Sequence, residues 1–129
     1  MPRREHWKRE SDEHDYAAAF DYLTLLVPDT VATTLVTALR GSRLTSRKAK
    51  DLLRASQLPL LPKDNVHVAK DLSRVQHDTP LSPVLVVRGN LPGGQPLTIA
   101  DGYHRICASY YVDEDADIPC HVAALPGAG

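Results

Sequence analysis

The stretch Leu97 to Tyr111, LTIADGYHRICASYY, decides the fold class of this 129-residue chain. Its first four residues, Leu97 to Ala100, are apolar or β-branched and predict a β-strand. The following segment predicts a helix, because one helical face collects the apolar side chains of Tyr103, Ile106, Cys107 and Tyr110. A strand that passes through Asp101-Gly102 directly into a helix predicts an α/β (α+β) domain with a small mixed sheet.

The residues around this unit supply the rest of the sheet. Pro83 to Arg88 is almost wholly apolar and β-branched, which predicts a strand buried on both faces. A hairpin-type loop, residues 90–95, leads to the strand that begins at Leu97. The pattern also predicts a last strand over Ile118 to Ala123 and a helix over His67 to Val75.

The first half of the chain is predicted to be helical. Helical spacing predicts one helix from Asp15 to Leu26, a second between Asp29 and Gly41, and a third from Arg47 to Ala55. The third is short and basic, and Thr45 or Ser46 is its predicted N-cap. These helices are additional to the sheet-containing part of the chain.

The chain is predicted to divide into three segments. Residues 1–14 are mostly charged and lack periodicity, which predicts a flexible charged arm. Residues 15–56 form the N-terminal helical segment, and a proline-containing connection marks its end. Residues 57–125 form the domain that holds the sheet, and residues 127–129 form a frayed tail.

The composition favours a cytoplasmic globular protein. Fifteen Lys and Arg residues balance sixteen Asp and Glu residues, so the chain offers no broad basic face for non-specific DNA binding. The N-terminus is charged rather than apolar, and no apolar stretch reaches the roughly 18 residues that a membrane span requires. Two cysteines without a C-x-x-C pair fit a reducing compartment, and no metal site or membrane partner is expected.

The turn from Asp101 to Arg105 is the candidate functional site. A helix N-terminus exposes unpaired amide hydrogens to an anion, and Gly102 is predicted to let a ligand approach the main chain. Arg105 is predicted to point away from the apolar face and to give phosphate a forked contact, while His104 donates a hydrogen bond or transfers a proton. Asp101 has three possible roles: it caps the helix, accepts a ribose hydroxyl, or helps to place Mg²⁺.

A purely structural alternative stays open for this turn. In that alternative Asp101 caps the helix, Gly102 makes the turn, and Arg105 pairs with the acidic run at residues 113–115. A cation at a helix N-terminus is unfavourable by a few tenths of a kcal/mol without an anion, which favours the functional interpretation.

Residues 82–89, 99–108 and 118–122 together resemble the ParB/sulfiredoxin-like (ParB-like nuclease) domain superfamily, most specifically in the turn Asp-Gly-x-His-Arg. The resemblance implies that Gly102, Tyr103, His104 and Arg105 hold nucleotide phosphates. It also places residues 62–65 where the family has a loop ahead of its first helix, which adds Lys63 and Asn65 to the implied phosphate-binding residues. Sulfiredoxin-type reductases carry their reactive cysteine where this chain has Tyr103, which argues against that reaction.

The leading hypothesis is a protein that binds a nucleotide or another phosphorylated small molecule. Any catalysis would be phosphoryl transfer or nucleotide hydrolysis, with Asp101 and His104 as the catalytic groups and Mg²⁺ accompanying the nucleotide. Whether the protein is an enzyme stays open. The arm or the first helix is a possible surface for a homodimer.

Two alternatives come from other functional classes. One is a DNA-associated module of the nuclease or partition type, in which residues 47–54 and Arg105 contact nucleic acid. Partition proteins add a helix-turn-helix region after this domain, and the few residues after the last predicted strand do not predict one. The other alternative is a non-catalytic interaction protein that retained the fold without the ligand.

Overall fold

A computed structural model describes residues 5–126, and the predicted frayed tail at 127–129 and the first four residues of the arm lie outside them. The described part contains five helices and four strands, which confirms the mixed α/β class. In chain order these elements are α1 (Glu13–Leu23), α2 (Asp29–Gly41), β1 (Thr45–Lys48), α3 (Ala49–Ser56), α4 (Val66–Gln76), β2 (Val84–Val87), β3 (Thr98–Asp101), α5 (Tyr103–Val112) and β4 (Asp117–Ala123).

The four strands form one mixed sheet in the order β1-β4-β2-β3. β4 runs antiparallel to β1 and parallel to β2, and β2 runs antiparallel to β3. The irregular register between Leu85 and Val86 lies in the β2–β3 pair, beside the turn that starts α5. β2 is therefore an interior strand, and β3 delivers the chain to α5 from the sheet edge.

Helices cover both faces of the sheet. Val84 and Val86 of β2 face one core, which also contains side chains of α3, α4 and α5. Leu85 and Val87 face a second core with side chains of α1 and α2. The prediction of a strand buried on both faces is confirmed. β2 has no polar residue because each of its side chains is buried in one core or the other.

The prediction that a helix begins at Arg47 is wrong. Residues Thr45–Lys48 form β1, because they pair with Asp117–Cys120 of β4, and α3 begins only at Ala49. All four β1 residues are exposed, so no alternation of buried and exposed side chains distinguishes this strand from a solvated helix start. The remaining predicted helices and strands are present, with ends that shift by one to three residues.

The predicted arm is attached to the domain from residue 6 onward. The Lys8 amide donates to the Leu81 carbonyl at 2.8 Å, and the Leu81 amide donates to the His6 carbonyl at 2.8 Å. The buried Ser11 hydroxyl donates to the Pro83 carbonyl at 2.8 Å. These bonds hold the segment before α1 against the residues that lead into β2.

The sheet contains strands from both sides of the boundary that the sequence predicts at residue 57. β1 belongs to the N-terminal segment, yet it pairs with β4 of the C-terminal segment. α1 contacts β3, and α2 contacts β4. Within residues 5–126, no helix has the length and apolar character needed to cross a bilayer.

A buried histidine on β4 makes stability depend on pH. His121 is 5% exposed, its Nδ1 contacts Ser42, and its Nε2 has no hydrogen-bond partner among the described residues. Burial lowers the pKa of His121 below its usual value, and the hydrogen bond with the Ser42 backbone offsets this only in part.

We therefore expect His121 to reduce stability in acid. Because the folded-state pKa lies below the unfolded value of about 6.5, the unfolded chain takes up the proton first as the pH falls below that value. Urea unfolding of the wild type and of His121→Asn between pH 7.5 and pH 5 measures this, and the wild type is expected to lose more stability than the variant. Parallel losses in the two proteins would show that His121 does not titrate in this way.

Candidate functional site

The main cleft of the described structure lies at the N-terminus of α5 and has a volume of about 530 Å³. Its floor is formed by Asp101, Gly102, His104 and Arg105. Three other parts of the chain form its walls, namely the segment from Lys8 to Asp15, one face of α4, and residues 79–82. The candidate turn thus opens into a cleft built by both halves of the chain.

Gly102 starts α5 in a conformation that other residues rarely adopt. Its φ is +111°, and it provides no side chain to cap the helix. The Ile106 amide donates to the Gly102 carbonyl at 3.0 Å, and no capping side chain of the described residues satisfies the earlier amides of this turn. These amides and the helix dipole give the cleft floor a positive partial charge.

The structure gives Gly102 a packing role that the sequence did not predict. A Cβ on Gly102 would lie 2.5 Å from Cγ1 of Val84 and 3.1 Å from Nη2 of Arg105. The glycine therefore makes room for the protein's own β2 and guanidinium. Substitution at this position is expected to disturb folding before it disturbs binding.

Arg105 lies on the predicted side of α5, opposite to the apolar stripe, but it is buried there. Arg105 is only 9% exposed, because α1 and the residues before β2 cover the side of α5 that is opposite to the apolar stripe. Its Nη1 donates to the Ser82 carbonyl at 2.6 Å and to the Ser82 hydroxyl at 2.5 Å, and Nη2 donates to Asp101. The Asp15 carboxylate of α1 lies 3.5 Å from Nη1.

Arg105 is thus shared by two carboxylates of the chain itself. It does not pair with residues 113–115, and Asp101 pairs with Arg105 instead of capping α5. The structural alternative from the sequence is therefore wrong about the acidic partner of Arg105 and about Asp101 as the helix cap. The alternative correctly expects a carboxylate of the protein itself to pair with Arg105.

The two carboxylates differ in proton affinity. Burial raises the pKa of Asp101 to about 6, and the Arg105 charge offsets this only in part, while the nearby Asp15 raises it further. Burial also raises the pKa of Asp15, but the Ser82 hydroxyl, the Arg105 charge and the Asp12 amide outweigh it, so the net shift is downward. The lowered pKa favours the charged form of Asp15, and the raised pKa brings the titration of Asp101 closer to neutral pH.

His104 lies on the other side of the floor, against α4. Its ring centroid is 4.7 Å from that of His67 and 5.7 Å from that of Tyr103. Burial lowers the pKa of His104, the His67 imidazole lowers it further, and the Asp71 carboxylate acts in the opposite direction. His104 is therefore neutral at pH 7, where it can accept a proton or donate one N–H.

The cleft walls carry further basic residues that the sequence did not single out. His67, Lys70 and Arg74 lie along one face of α4 and line the cleft. Arg74 is held by the buried Asp71, whereas Lys70 is exposed and has no ion pair among the described residues. Lys8 lies on the opposite wall, paired with Asp12 at 2.9 Å.

Three of the proposed phosphate-binding residues lie away from the cleft floor. Lys63 lies over the Tyr111 ring at 5.2 Å, and Asn65 caps α4 by accepting from the amides of His67 and Val68. The Tyr103 hydroxyl donates to the Pro59 carbonyl at 2.5 Å. Of these, Asn65 supports the site indirectly, since it fixes the start of the helix that carries Lys70.

The residues do not fit the Mg²⁺ that would accompany a nucleotide. Asp101 and Asp15 each have one oxygen, Oδ2, directed at Arg105, and Asp12 contacts Lys8 through both oxygens. Within residues 5–126, the one group of three side chains close enough for a shared ion is Asp12, His14 and Asp15, and it includes an imidazole that Mg²⁺ disfavours. We therefore assign no metal to the cleft.

The two cysteines have no role in this site. Cys107 and Cys120 are both buried and free. Burial raises the pKa of the Cys107 thiol and raises the pKa of Cys120 to about 12, so neither forms a thiolate nucleophile at neutral pH. The prediction of a buried, inert Cys107 agrees with this environment.

Some site residues had a recognisable signal in the sequence, and others had none. His67, Lys70 and Arg74 recur at spacings of three and four, which marks one helix face. Asp15 stands at the third helical position of a capping box with Asp12, so a local role already accounts for it. Ser82 has no local signal, because its contacts with Arg105 depend on how α5 crosses the entry to β2.

Comparisons with protein-family models, with curated proteins and with solved structures find no match for this chain. The functional argument therefore depends on the geometry and charges of the cleft.

Proposed function

We propose that the cleft binds the phosphate group of a nucleotide or of another phosphorylated small molecule. The phosphate would lie against the amides at the start of α5, between His104 on one side and the α4 cations on the other. This is the ligand class that the ParB/sulfiredoxin resemblance of residues 101–105 implies, and we extend that resemblance to this chain as a proposal.

The observation that carries the proposal is the uncapped start of α5 at the floor of a cleft of about 530 Å³. A volume of this size accommodates a small ligand. Helix N-termini bind phosphate because their amide hydrogens point at the ligand and the dipole favours negative charge. Lys70, which has no ion pair among the described residues, adds an exposed cation to the cleft lining.

The role of Arg105 differs from the one that the sequence suggested. Its guanidinium is held by Ser82 and by two carboxylates, so it first fixes the floor of the cleft. Direct contact between phosphate and Nη2 of Arg105 would require Asp101 to release its hydrogen bond with that nitrogen. Asp101 and His104 are the groups able to exchange protons with a bound ligand, and any catalysis would use them as acid or base.

The DNA-associated alternative requires a continuous basic surface, and the charges of α3 are interrupted. Lys50 pairs with Asp115 at 2.6 Å, and Arg54 pairs with Asp51 at 3.3 Å. Alternating charges on a helix are typical of a solvated face. We therefore retain the small-molecule hypothesis as the proposed function.

The proposal predicts that Lys70→Gln weakens phosphate binding. Isothermal titration calorimetry with pyrophosphate, ATP, CTP and GTP at pH 7 is expected to give saturable binding, about tenfold weaker in the variant because one charged contact is lost. Thermal shift provides a second readout, since a ligand that binds only the folded state raises the melting temperature with concentration.

Lys63→Gln is the matched control for this experiment. It removes the same charge from a residue that the resemblance implies in phosphate binding but that contacts Tyr111 outside the cleft. Unchanged affinity in Lys63→Gln, with weaker binding in Lys70→Gln, supports the cleft. Saturable binding that both variants leave intact, or no binding of any of the four probes, would overturn the proposed function.

A further inference from the structure

We propose that an anion binding at the start of α5 drives a proton onto Asp101, which releases one side of the Arg105 guanidinium for the ligand. The cleft would then be an anion site that the chain's own carboxylate occupies in the free protein. The inference rests on the proposed phosphate site and adds how that site is regulated, because it makes affinity depend on proton uptake.

The geometry of the cluster carries the inference. One guanidinium lies between two carboxylates, with Asp101 on Nη2 and Asp15 3.5 Å from Nη1. If all three groups are ionised, the cluster already has one excess negative charge before a ligand enters. A dianion at the adjacent amides would add like charge in a partly desolvated site, where such repulsion is costly. Neutralising one carboxylate removes this conflict.

Asp101 is the carboxylate that is free to take the proton. Asp15 is 5% exposed and is held in its charged form by the Asp12 amide at 3.1 Å and by the Ser82 hydroxyl. Asp101 is more exposed and faces the cleft, and among the described residues Arg105 is the one cation that pairs with it. The pKa of Asp101, about 6, agrees with this division.

Other titratable groups face the same cleft and have to be separated from Asp101 in any pH experiment. Three imidazoles, those of His14, His67 and His104, line the cleft as well, so a change of pH alone does not isolate Asp101. The charged and titratable groups around Asp101 are Lys8, Asp12, His14 and Asp15 before and in α1, His67, Lys70, Asp71 and Arg74 in α4, and His104 and Arg105 in α5. A variant of Asp101 is therefore compared with the wild type at each pH.

The expected size of the effect follows from the fraction of protein in the competent protonation state. If the anion binds only when Asp101 is protonated, the apparent affinity of the wild type is the intrinsic affinity multiplied by the protonated fraction. The apparent affinity therefore falls by about tenfold for each pH unit above 6. Asp101→Asn keeps the shape of the side chain without the charge. It is therefore expected to bind only about twofold more tightly than the wild type at pH 6, but about 30-fold more tightly at pH 7.5.

The experiment is calorimetry with sulfate, which remains a dianion throughout this range, so the probe's own charge does not change. At pH 7.5 the wild type is titrated in two buffers that differ in ionisation enthalpy, and the difference in heat counts the protons taken up. We expect uptake close to one proton in the wild type and clearly less in Asp101→Asn. Asp51→Asn, which alters an exposed carboxylate on α3, is expected to behave as the wild type.

The outcomes separate this inference from the proposed function. Sulfate binding without proton uptake, or weaker binding by Asp101→Asn at pH 7.5, would overturn the inference and leave the phosphate site in place. Absence of binding to sulfate and pyrophosphate by both proteins would overturn the proposed function itself. Absence of proton uptake in the wild type overturns the inference even if Asp101→Asn does not fold, whereas observed uptake is assigned to Asp101 by comparison with the variant.

Discussion

Replacing Arg105 with methionine is expected to lower the free energy of unfolding by about 3–5 kcal/mol at pH 7.5, since it removes the guanidinium from the buried Asp15 and the partly buried Asp101. Asp15 would lose a charge 3.5 Å away, and Asp101 would lose its hydrogen bond to the guanidinium. The Ser82 carbonyl, a buried acceptor, would lose its donor as well. A loss of this size is a large part of the stability of a small domain.

Urea unfolding followed by circular dichroism measures this loss. Arg54→Met is the matched control, because its exposed ion pair with Asp51 is expected to contribute no more than about 1 kcal/mol. Adding Asp101→Asn to Arg105→Met is expected to recover part of the loss, since one buried carboxylate no longer requires a counter-ion. A loss in Arg105→Met as small as that in Arg54→Met would contradict the network.

Gly102→Ala is the second change with a large expected effect, a loss of about 2–4 kcal/mol that combines left-handed strain with overpacking. The φ of +111° disfavours any Cβ, and that Cβ would also lie 2.5 Å from Cγ1 of Val84. Val84 is fully buried in β2 and cannot move aside without disturbing the sheet. The start of α5 would therefore shift.

Gly94→Ala separates the two causes. Gly94 also has a positive φ, +74°, but a Cβ added there would meet no atom within 4 Å, so only the conformational cost of about 1 kcal/mol applies. Chemical denaturation of the two variants is expected to show at least twice the loss in Gly102→Ala. Equal losses would mean that the added Cβ causes no costly overpacking against Val84.

The sheet and most helices could be predicted because their patterns are local. The apolar run at β2 and the strand-to-helix junction at α5 need no knowledge of distant residues. β1 could not be predicted, since Thr45–Lys48 is an exposed, polar edge strand whose identity depends on pairing with β4. Periodicity carries no information about an element that buries none of its side chains.

The turn that the sequence singled out does border a cleft, but its internal partners were not predicted. Asp101, Gly102, His104 and Arg105 line the cleft, whereas Tyr103 does not. The buried state of Arg105 depends on Asp15 and Ser82, which are 90 and 23 positions away in the sequence. Helical angles place Arg105 on the side opposite to the apolar stripe, but they do not reveal that α1 covers this side.

The most direct test of the phosphate site follows the amide resonances of residues 103–105 by ¹H–¹⁵N nuclear magnetic resonance while pyrophosphate is added at pH 6.5. If the anion lies at the start of α5, the His104 and Arg105 amides are expected to show the largest, saturable shifts, with smaller changes at Lys70. Shifts confined to the basic residues of α3, or no saturable shift at residues 103–105, would contradict the account.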